Sequence, residues 1–207
     1  MAEQMRCELV SWLKVERLCQ RLAGLVRDSG YRPDLVVAIG RGGYVPARLV
    51  CDYLHLMAMT GIKVEHYLSG AQRRENTVVR YPLNTDISGL KVLLVDDVNE
   101  SGDTLFVASQ HLQSFAPAEI RTAVMQDKTV SSFSVDYYAQ KIIRWRWLVY
   151  PWAVYEDVSG FLQRMDPPPA SLDDARQRLE ERFNINISRQ RLHAIYASLD
   201  ELPGPPA

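Results

Sequence analysis

Between positions 15 and 26, Val15, Leu18, Cys19, Leu22, Leu25 and Val26 recur at helical spacing, which predicts an amphipathic helix. Ser11 stands where an N-cap belongs and Gly30 where a helix stop belongs. The period then changes. Leu35-Val36-Val37-Ala38-Ile39 is an unbroken apolar run of strand length, the pattern of a strand buried on both faces in a parallel sheet. Positions 91–95 repeat it, and 62–68, 120–126 and 145–149 read as further strands. Helical stretches at 45–59, with Pro46 in the first turn, and at 104–115 fall between them. This alternation predicts an α/β fold with a mainly parallel, twisted sheet flanked by helices.

Residues 69–89 break the pattern: they are polar, basic in the middle (Arg73, Arg74, Arg80) and without a firm period. A weakly patterned stretch of that length inside a compact domain predicts a functional lid or a mobile hairpin. Pro167-Pro168-Pro169 closes the body of the chain, giving a domain over 1–166. Beyond it, 172–183 and 189–199 read as two short helices, the second capped by Ser188, so 170–207 is expected to be a helical extension with a fraying end.

Composition narrows the function. Of 207 residues, 47% are apolar and 24% charged, and 24 Lys plus Arg against 25 Asp plus Glu leave a net charge of -1. Such a balance exerts no general pull on nucleic acid or an anionic membrane, so neither is an expected partner, and anion chemistry must come from local loops. Three cysteines without a CxxC pair predict buried, reduced thiols. The opening MAEQMRCELVSW lacks the apolar core of a signal peptide, and no run approaches a membrane span, which predicts a cytoplasmic protein.

The richest segment is Val92-Leu93-Leu94-Val95-Asp96-Asp97-Val98-Asn99-Glu100-Ser101-Gly102-Asp103-Thr104-Leu105. A buried strand delivers two adjacent carboxylates to its C-terminal end, where open α/β sheets bind ligands. The loop then turns at Gly102 into a helix whose first amides suit a phosphate, and Ser101 and Thr104 add hydroxyls. An acid pair beside a phosphate cradle suits a sugar phosphate: the carboxylates accept from ribose hydroxyls or hold Mg²⁺. A second loop, Gly40-Arg41-Gly42-Gly43, also follows a buried strand; its glycines admit an anion close to the backbone, and Arg41 adds charge. The dinucleotide fingerprint fails at Val45, and no GxxxxGK[ST] is present.

These two segments resemble type I phosphoribosyltransferases, 92–105 their signature for 5-phosphoribosyl diphosphate (PRPP) and 39–43 their pyrophosphate loop. Ser11-Trp12, Gly30-Tyr31-Arg32-Pro33-Asp34 and Arg41-Gly42-Gly43-Tyr44-Val45-Pro46-Ala47-Arg48 extend the similarity toward the xanthine–guanine and archaeal-type purine branch, over about 10–152. The resemblance implies a small hood region for the base, a mobile loop at about 67–87 and a homodimer. It implies that Asp96 and Asp97 contact the ribose hydroxyls with Asp97 close to Mg²⁺. Glu100, Ser101, Gly102, Asp103 and Thr104 would cradle the 5-phosphate, and Arg41, Gly42 and Gly43 would bind the departing pyrophosphate. Lys128 would face the exocyclic oxygen of a 6-oxopurine, Trp147 would stack on the base, and the Leu148 backbone would read its edge. The plainer reading of the same residues makes Trp145 and Trp147 one face of a half-buried strand and Lys128 a solvated loop charge.

The chain departs from the family pattern at three places. Glu100 replaces the usual aspartate that assists proton transfer, keeping the acid on a longer arm. Ala153 stands where the branch commonly carries a carboxylate for the purine 2-position, which favours hypoxanthine or an unusual base. His66-Tyr67-Leu68-Ser69 replaces the usual Ser-Tyr pair of the closing loop. The function implied is purine salvage: transfer of 5-phosphoribosyl from PRPP to a 6-oxopurine, with Glu100 and Arg41 catalytic. The alternatives are a PRPP-sensing regulator on the same fold and a transferase for another base.

Overall fold

A computed structural model describes residues 5–68 and 75–199. In chain order the elements are β1 (Cys7–Leu9), α1 (Trp12–Asp28), β2 (Leu35–Gly40), α2 (Tyr44–Leu54), β3 (Met59–Leu68), β4 (Glu75–Tyr81) and β5 (Lys91–Asn99). There follow α3 (Asp103–Gln113), β6 (Glu119–Lys128), β7 (Tyr137–Ile142), β8 (Trp147–Val149), α4 (Val154–Gln163), α5 (Leu172–Phe183) and α6 (Arg189–Ala197). They divide into a larger unit, Leu13–Arg144, and a smaller one in which Met1–Trp12 joins Trp145–Ala207.

The larger unit is built on a six-stranded sheet in the order β4-β3-β2-β5-β6-β7. All neighbours are parallel except the β3–β4 hairpin. The unbroken apolar runs occupy its middle: every residue of β2 is buried, as are Val92 to Asp96 of β5. Alternate side chains Leu35, Val37 and Ile39 of β2 and Val92 and Leu94 of β5 share one core with Leu105, Ala108 and Leu112 of α3. Helix α1 buries Val15, Leu18, Cys19, Leu22 and Val26 of the stripe expected of it, while Leu25 is exposed. In-register pairs Ala38↔Val95 and Asp96↔Val124 bring the C-terminal ends of β2, β5 and β6 side by side.

Two expectations are corrected here. Helix α2 ends at Leu54 rather than near 59: His55 takes a left-handed conformation (φ 55°) and its N–H bonds to the Asp52 carbonyl, releasing Met59 to begin β3. Met57, inside the expected helical stretch, lies past the helix and is 95% exposed. The strand expected at 145–149 shortens to β8 and leaves the main sheet, pairing in parallel with β1 through Cys7↔Trp147 and Leu9↔Val149. The lid expected at about 67–87 contains β4, whose backbone pairs with β3 from Lys63↔Tyr81 to Leu68↔Glu75; residues 69–74 of it lie outside the described residues.

In the smaller unit α4, α5 and α6 gather around a core of Cys7, Val149, Val158, Phe161, Leu179, Ile185, Leu192 and Ile195, among others. Ser171 accepts from the Asp174 amide at the start of α5, and Ser188 from the Arg191 amide at the start of α6. Phe161 and Phe183 stack with centroids 4.4 Å apart. The boundary expected at 166–170 therefore falls inside this unit, where α5 and α6 share one core with the chain's first strand. All three cysteines are buried free thiols, and burial pushes the Cys19 thiol up to about 12. Among the described residues no helix is long and apolar enough to cross a membrane.

Leu192 is completely buried in this second core. Leu192→Ala is expected to destabilise the protein by about 2–5 kcal/mol through lost burial and the cavity left behind. Chemical denaturation checks this; a change below about 0.5 kcal/mol would mean that α6 is peripheral.

Candidate active site

Strand β5 carries its carboxylates to the sheet edge as it leaves the core. Asp96 is buried and Asp97 half-buried, and the Asp97 amide donates to Asp96 Oδ1 at 2.9 Å. Burial first, and then the adjacent charge of Asp97, raise the Asp96 pKa well above the ordinary carboxylate range. Two neighbouring carboxylates with an unfavourable shared charge form a donor set that a hard cation would relieve.

The chain next turns through Glu100 to Gly102 into α3. Gly102 occupies the cap position with φ 101°, a conformation that disfavours any side chain, and offers no side chain to the first-turn amides of α3. Those amides therefore present a partial positive charge to an anion. Ser101 Oγ donates to Asp103 Oδ2 at 2.8 Å.

The loop after β2 meets this one directly. A methyl group built on Gly42 would lie 2.6 Å from Asp97 Cγ, and one on Gly43 2.5 Å from the Val95 carbonyl oxygen. Only glycine permits that approach. The Gly40–Arg41 peptide is cis, Arg41 is exposed, and the Gly43 amide donates to the Ile39 carbonyl at 2.9 Å. The two loops singled out in the sequence thus touch through Gly42 and Asp97.

Lys128 overturns the reading of a solvated loop charge. It ends β6, only 2% exposed, with Nζ 2.7 Å from Glu100 Oε1. A buried ammonium requires such a counter-charge. Asn99, Asp127 and Ser131 were missed. Asn99 is directly opposite Asp127 in the β5–β6 register and donates to it at 2.9 Å, while Ser131 Oγ donates to Asn99 at 2.9 Å. The signal for them lies in strand register, which single-chain periodicity does not contain.

Trp147 and Leu148 belong to the smaller unit. Leu148 is buried; the Trp147 indole packs on that unit's core and donates through Nε1 to Asp157 Oδ1 at 3.1 Å. Ala153 is the cap residue of α4, its carbonyl accepting from the Asp157 amide at 2.8 Å. Trp145, expected beside Trp147 on a strand, lies before β8 and is about half exposed.

The family model for the phosphoribosyl transferase domain matches residues 6–157. The chain belongs to the phosphoribosyltransferase family. It is 33% identical over 153 residues to the xanthine-guanine phosphoribosyltransferase of Ruegeria sp. (strain TM1040), covering 69% of this chain and 83% of that one. The corresponding Roseobacter denitrificans protein is 31% identical with the same coverage. Among solved structures, the purine phosphoribosyltransferase of Pyrococcus horikoshii is 30% identical with a TM-score of 0.63, over 72% of this chain and 94% of that one. The xanthine-guanine-hypoxanthine phosphoribosyltransferase of Helicobacter pylori, at 21% identity and TM-score 0.63, shares the fold over 75% of this chain and 98% of its own. Every residue assigned to the phosphoribosyltransferase site falls within the matched 6–157, whereas α5 and α6 lie beyond it.

Burial raises the Asp157 carboxyl to about 6, opposed by its bond from Trp147. The unfolded value is near 4, so this group's contribution to stability is complete below about pH 4 and is lost as pH rises through about 6. Asp157→Asn keeps an acceptor for the indole. It is expected to remove that loss and raise stability at pH 7 by about 1–2 kcal/mol after solvent screening. Urea denaturation at pH 4.5 and pH 7 checks it, and a pH dependence identical to wild type contradicts it.

Proposed function

We propose that this chain is a Mg²⁺-dependent purine phosphoribosyltransferase, transferring the 5-phosphoribosyl group from PRPP to a 6-oxopurine and releasing pyrophosphate. The observation that carries the proposal is the contact of Gly42 with the Asp97 carboxylate, beside the first turn of α3, whose cap residue Gly102 carries no side chain. PRPP carries a monophosphate on one side of its ribose and a diphosphate on the other, and it needs two anion loops flanking a hydroxyl-binding acid pair. The names of the relatives, xanthine-guanine and purine phosphoribosyltransferases, support a 6-oxopurine acceptor.

In this reading Asp96 and Asp97 accept from the ribose hydroxyls. The amides of Ser101, Gly102, Asp103 and Thr104 receive the 5-phosphate, and Arg41, Gly42 and Gly43 hold the pyrophosphate as it departs. Asp97, with Asp96, would hold Mg²⁺, which would offset negative charge on the pyrophosphate. Among the described residues no cluster of three or more acidic, His or Cys side chains forms a metal cage. A two-carboxylate set suits an ion that completes its shell with substrate oxygens. Because the leaving group gains charge as the glycosidic bond breaks, donors arranged beforehand lower the barrier more than donors that must reorganise.

Glu100 is the base for the purine proton, and Lys128 is the donor to the exocyclic oxygen. Their 2.7 Å pairing keeps the buried ammonium compensated, and a bound purine would insert between partners already oriented. The longer arm of Glu100 supports this pairing while the carboxylate stays partly exposed.

Asp97→Asn is expected to lower PRPP-dependent turnover of a 6-oxopurine by at least 100-fold while the thermal unfolding midpoint stays within about 3 °C, because the fold does not need the charge. Pyrophosphate release and a thermal melt on the same preparation check this. Full activity in the folded variant would overturn the proposal.

A further inference from the structure

Three strands of the larger unit end in a buried polar ladder that the proposed chemistry does not use. Asn99 of β5 lies opposite Asp127 of β6, and Asp127 opposite Lys141 of β7. The Asn99 Nδ2 amide donates at 2.9 Å both to Asp127 Oδ1 and to the Phe133 carbonyl, and its Oδ1 accepts from Ser131 Oγ at 2.9 Å. Lys141 Nζ lies 2.5 Å from Asp127 Oδ2. Asn99 is 1% exposed and Asp127 4%, so these groups have been taken out of water and matched partner by partner. Well-packed apolar residues would fill the same space at lower cost. The polar ladder must therefore do something that packing does not.

What it does is visible one step further on. The ladder grips the 131–133 turn through Ser131 and the Phe133 carbonyl, and this turn holds the loop that precedes α3. The Ser132 amide and hydroxyl both donate to the Ser101 carbonyl at 3.0 Å. Phe133 stands so close behind Gly102 that a methyl group there would lie 2.6 Å from Phe133 Cβ. Asn99 thus acts on the 101–104 loop from both directions: along its own backbone and across the 131–133 turn.

We propose that Asn99 and Asp127 are positioning residues that fix the 101–104 loop at the height where its amides meet a phosphomonoester. The inference rests on the phosphate role proposed above for that loop. Asp127, anchored by Lys141, holds the Asn99 amide in the orientation that satisfies the Phe133 carbonyl. The bonds of Asn99 and Asp127 run to Ser131, Phe133 and Lys141, on the side of the 101–104 loop, so loosening them should weaken the phosphomonoester site more than the pyrophosphate site.

The test is calorimetry on the full chain with ribose 5-phosphate and, separately, with pyrophosphate and Mg²⁺, for wild type, Asn99→Ala and the milder Ser131→Ala. Ribose 5-phosphate affinity is expected to fall about tenfold in Asn99→Ala and about threefold in Ser131→Ala, with pyrophosphate affinity within about twofold of wild type. The KM for PRPP should rise by the same factors while kcat changes less. Equal losses for both ligands, or no loss for ribose 5-phosphate, overturn the inference; if Asn99→Ala does not fold, Ser131→Ala decides. Wild-type protein that binds ribose 5-phosphate without turning over any base overturns the proposed transferase and leaves the positioning role standing. Wild-type turnover with unaltered ribose 5-phosphate affinity in the variants does the reverse, and no ribose 5-phosphate binding by wild type overturns both.

Discussion

The parallel pairing of β2 with β5 is the constraint on which the site depends. Its register sets Ala38 beside Val95, so the two strands leave the sheet together and their loops collide unless one of them lacks a side chain. Gly42 and Gly43 remove that conflict, one against the Asp97 carboxylate and the other against the Val95 carbonyl. The burial of β2 and of most of β5 makes the register hard to slip, because a shift by one residue would carry Asp96 into the apolar core. Core packing and site geometry are therefore one problem in this chain.

Charge is handled differently at each place where the sheet gives way to the site. At Asp96, burial and the adjacent charge of Asp97 raise the carboxyl pKa, which makes the pair receptive to a hard cation. At the end of β6 the buried Lys128 is compensated by the partly exposed Glu100. Asp127, one residue earlier and directed to Lys141 and Asn99, is compensated inside the protein. Neighbouring positions on one strand thus carry two charge pairs, one reaching the partly exposed Glu100 and the other directed to Asn99 and Lys141.

Much of this was legible in the sequence, for reasons tied to particular residues. The runs at 35–39 and 92–95 announce central strands because burial on both faces leaves no polar position to confuse the period. Helix α5 came out at 172–183 as read, since Ser171 caps it and its apolar residues are regularly spaced. The end of α2 was misread because a left-handed His55 leaves no glycine signal. Strand β8 was assigned to the wrong sheet because its partner, β1, is three residues long and lies at the far end of the chain. For Trp147 the sequence offered only the ring, and the bond of its indole N–H to Asp157 within the smaller unit was not readable from it. Lys128 was readable as a loop charge or, preferably, a ligand contact, and strand register shows it buried. The Asn99–Asp127 pair was invisible for the same reason: neither residue is unusual alone, and only β5–β6 pairing makes them neighbours.

The measurement that tests the account most directly is pyrophosphate release from PRPP and Mg²⁺ by the full chain, with hypoxanthine, guanine, xanthine, adenine and uracil offered in parallel. The account predicts turnover with at least one 6-oxopurine and none with uracil, with the ranking among hypoxanthine, guanine and xanthine reporting the consequence of Ala153. Silence with all five bases, in protein that calorimetry shows to bind PRPP, would contradict the transferase and leave a PRPP-binding protein on this fold.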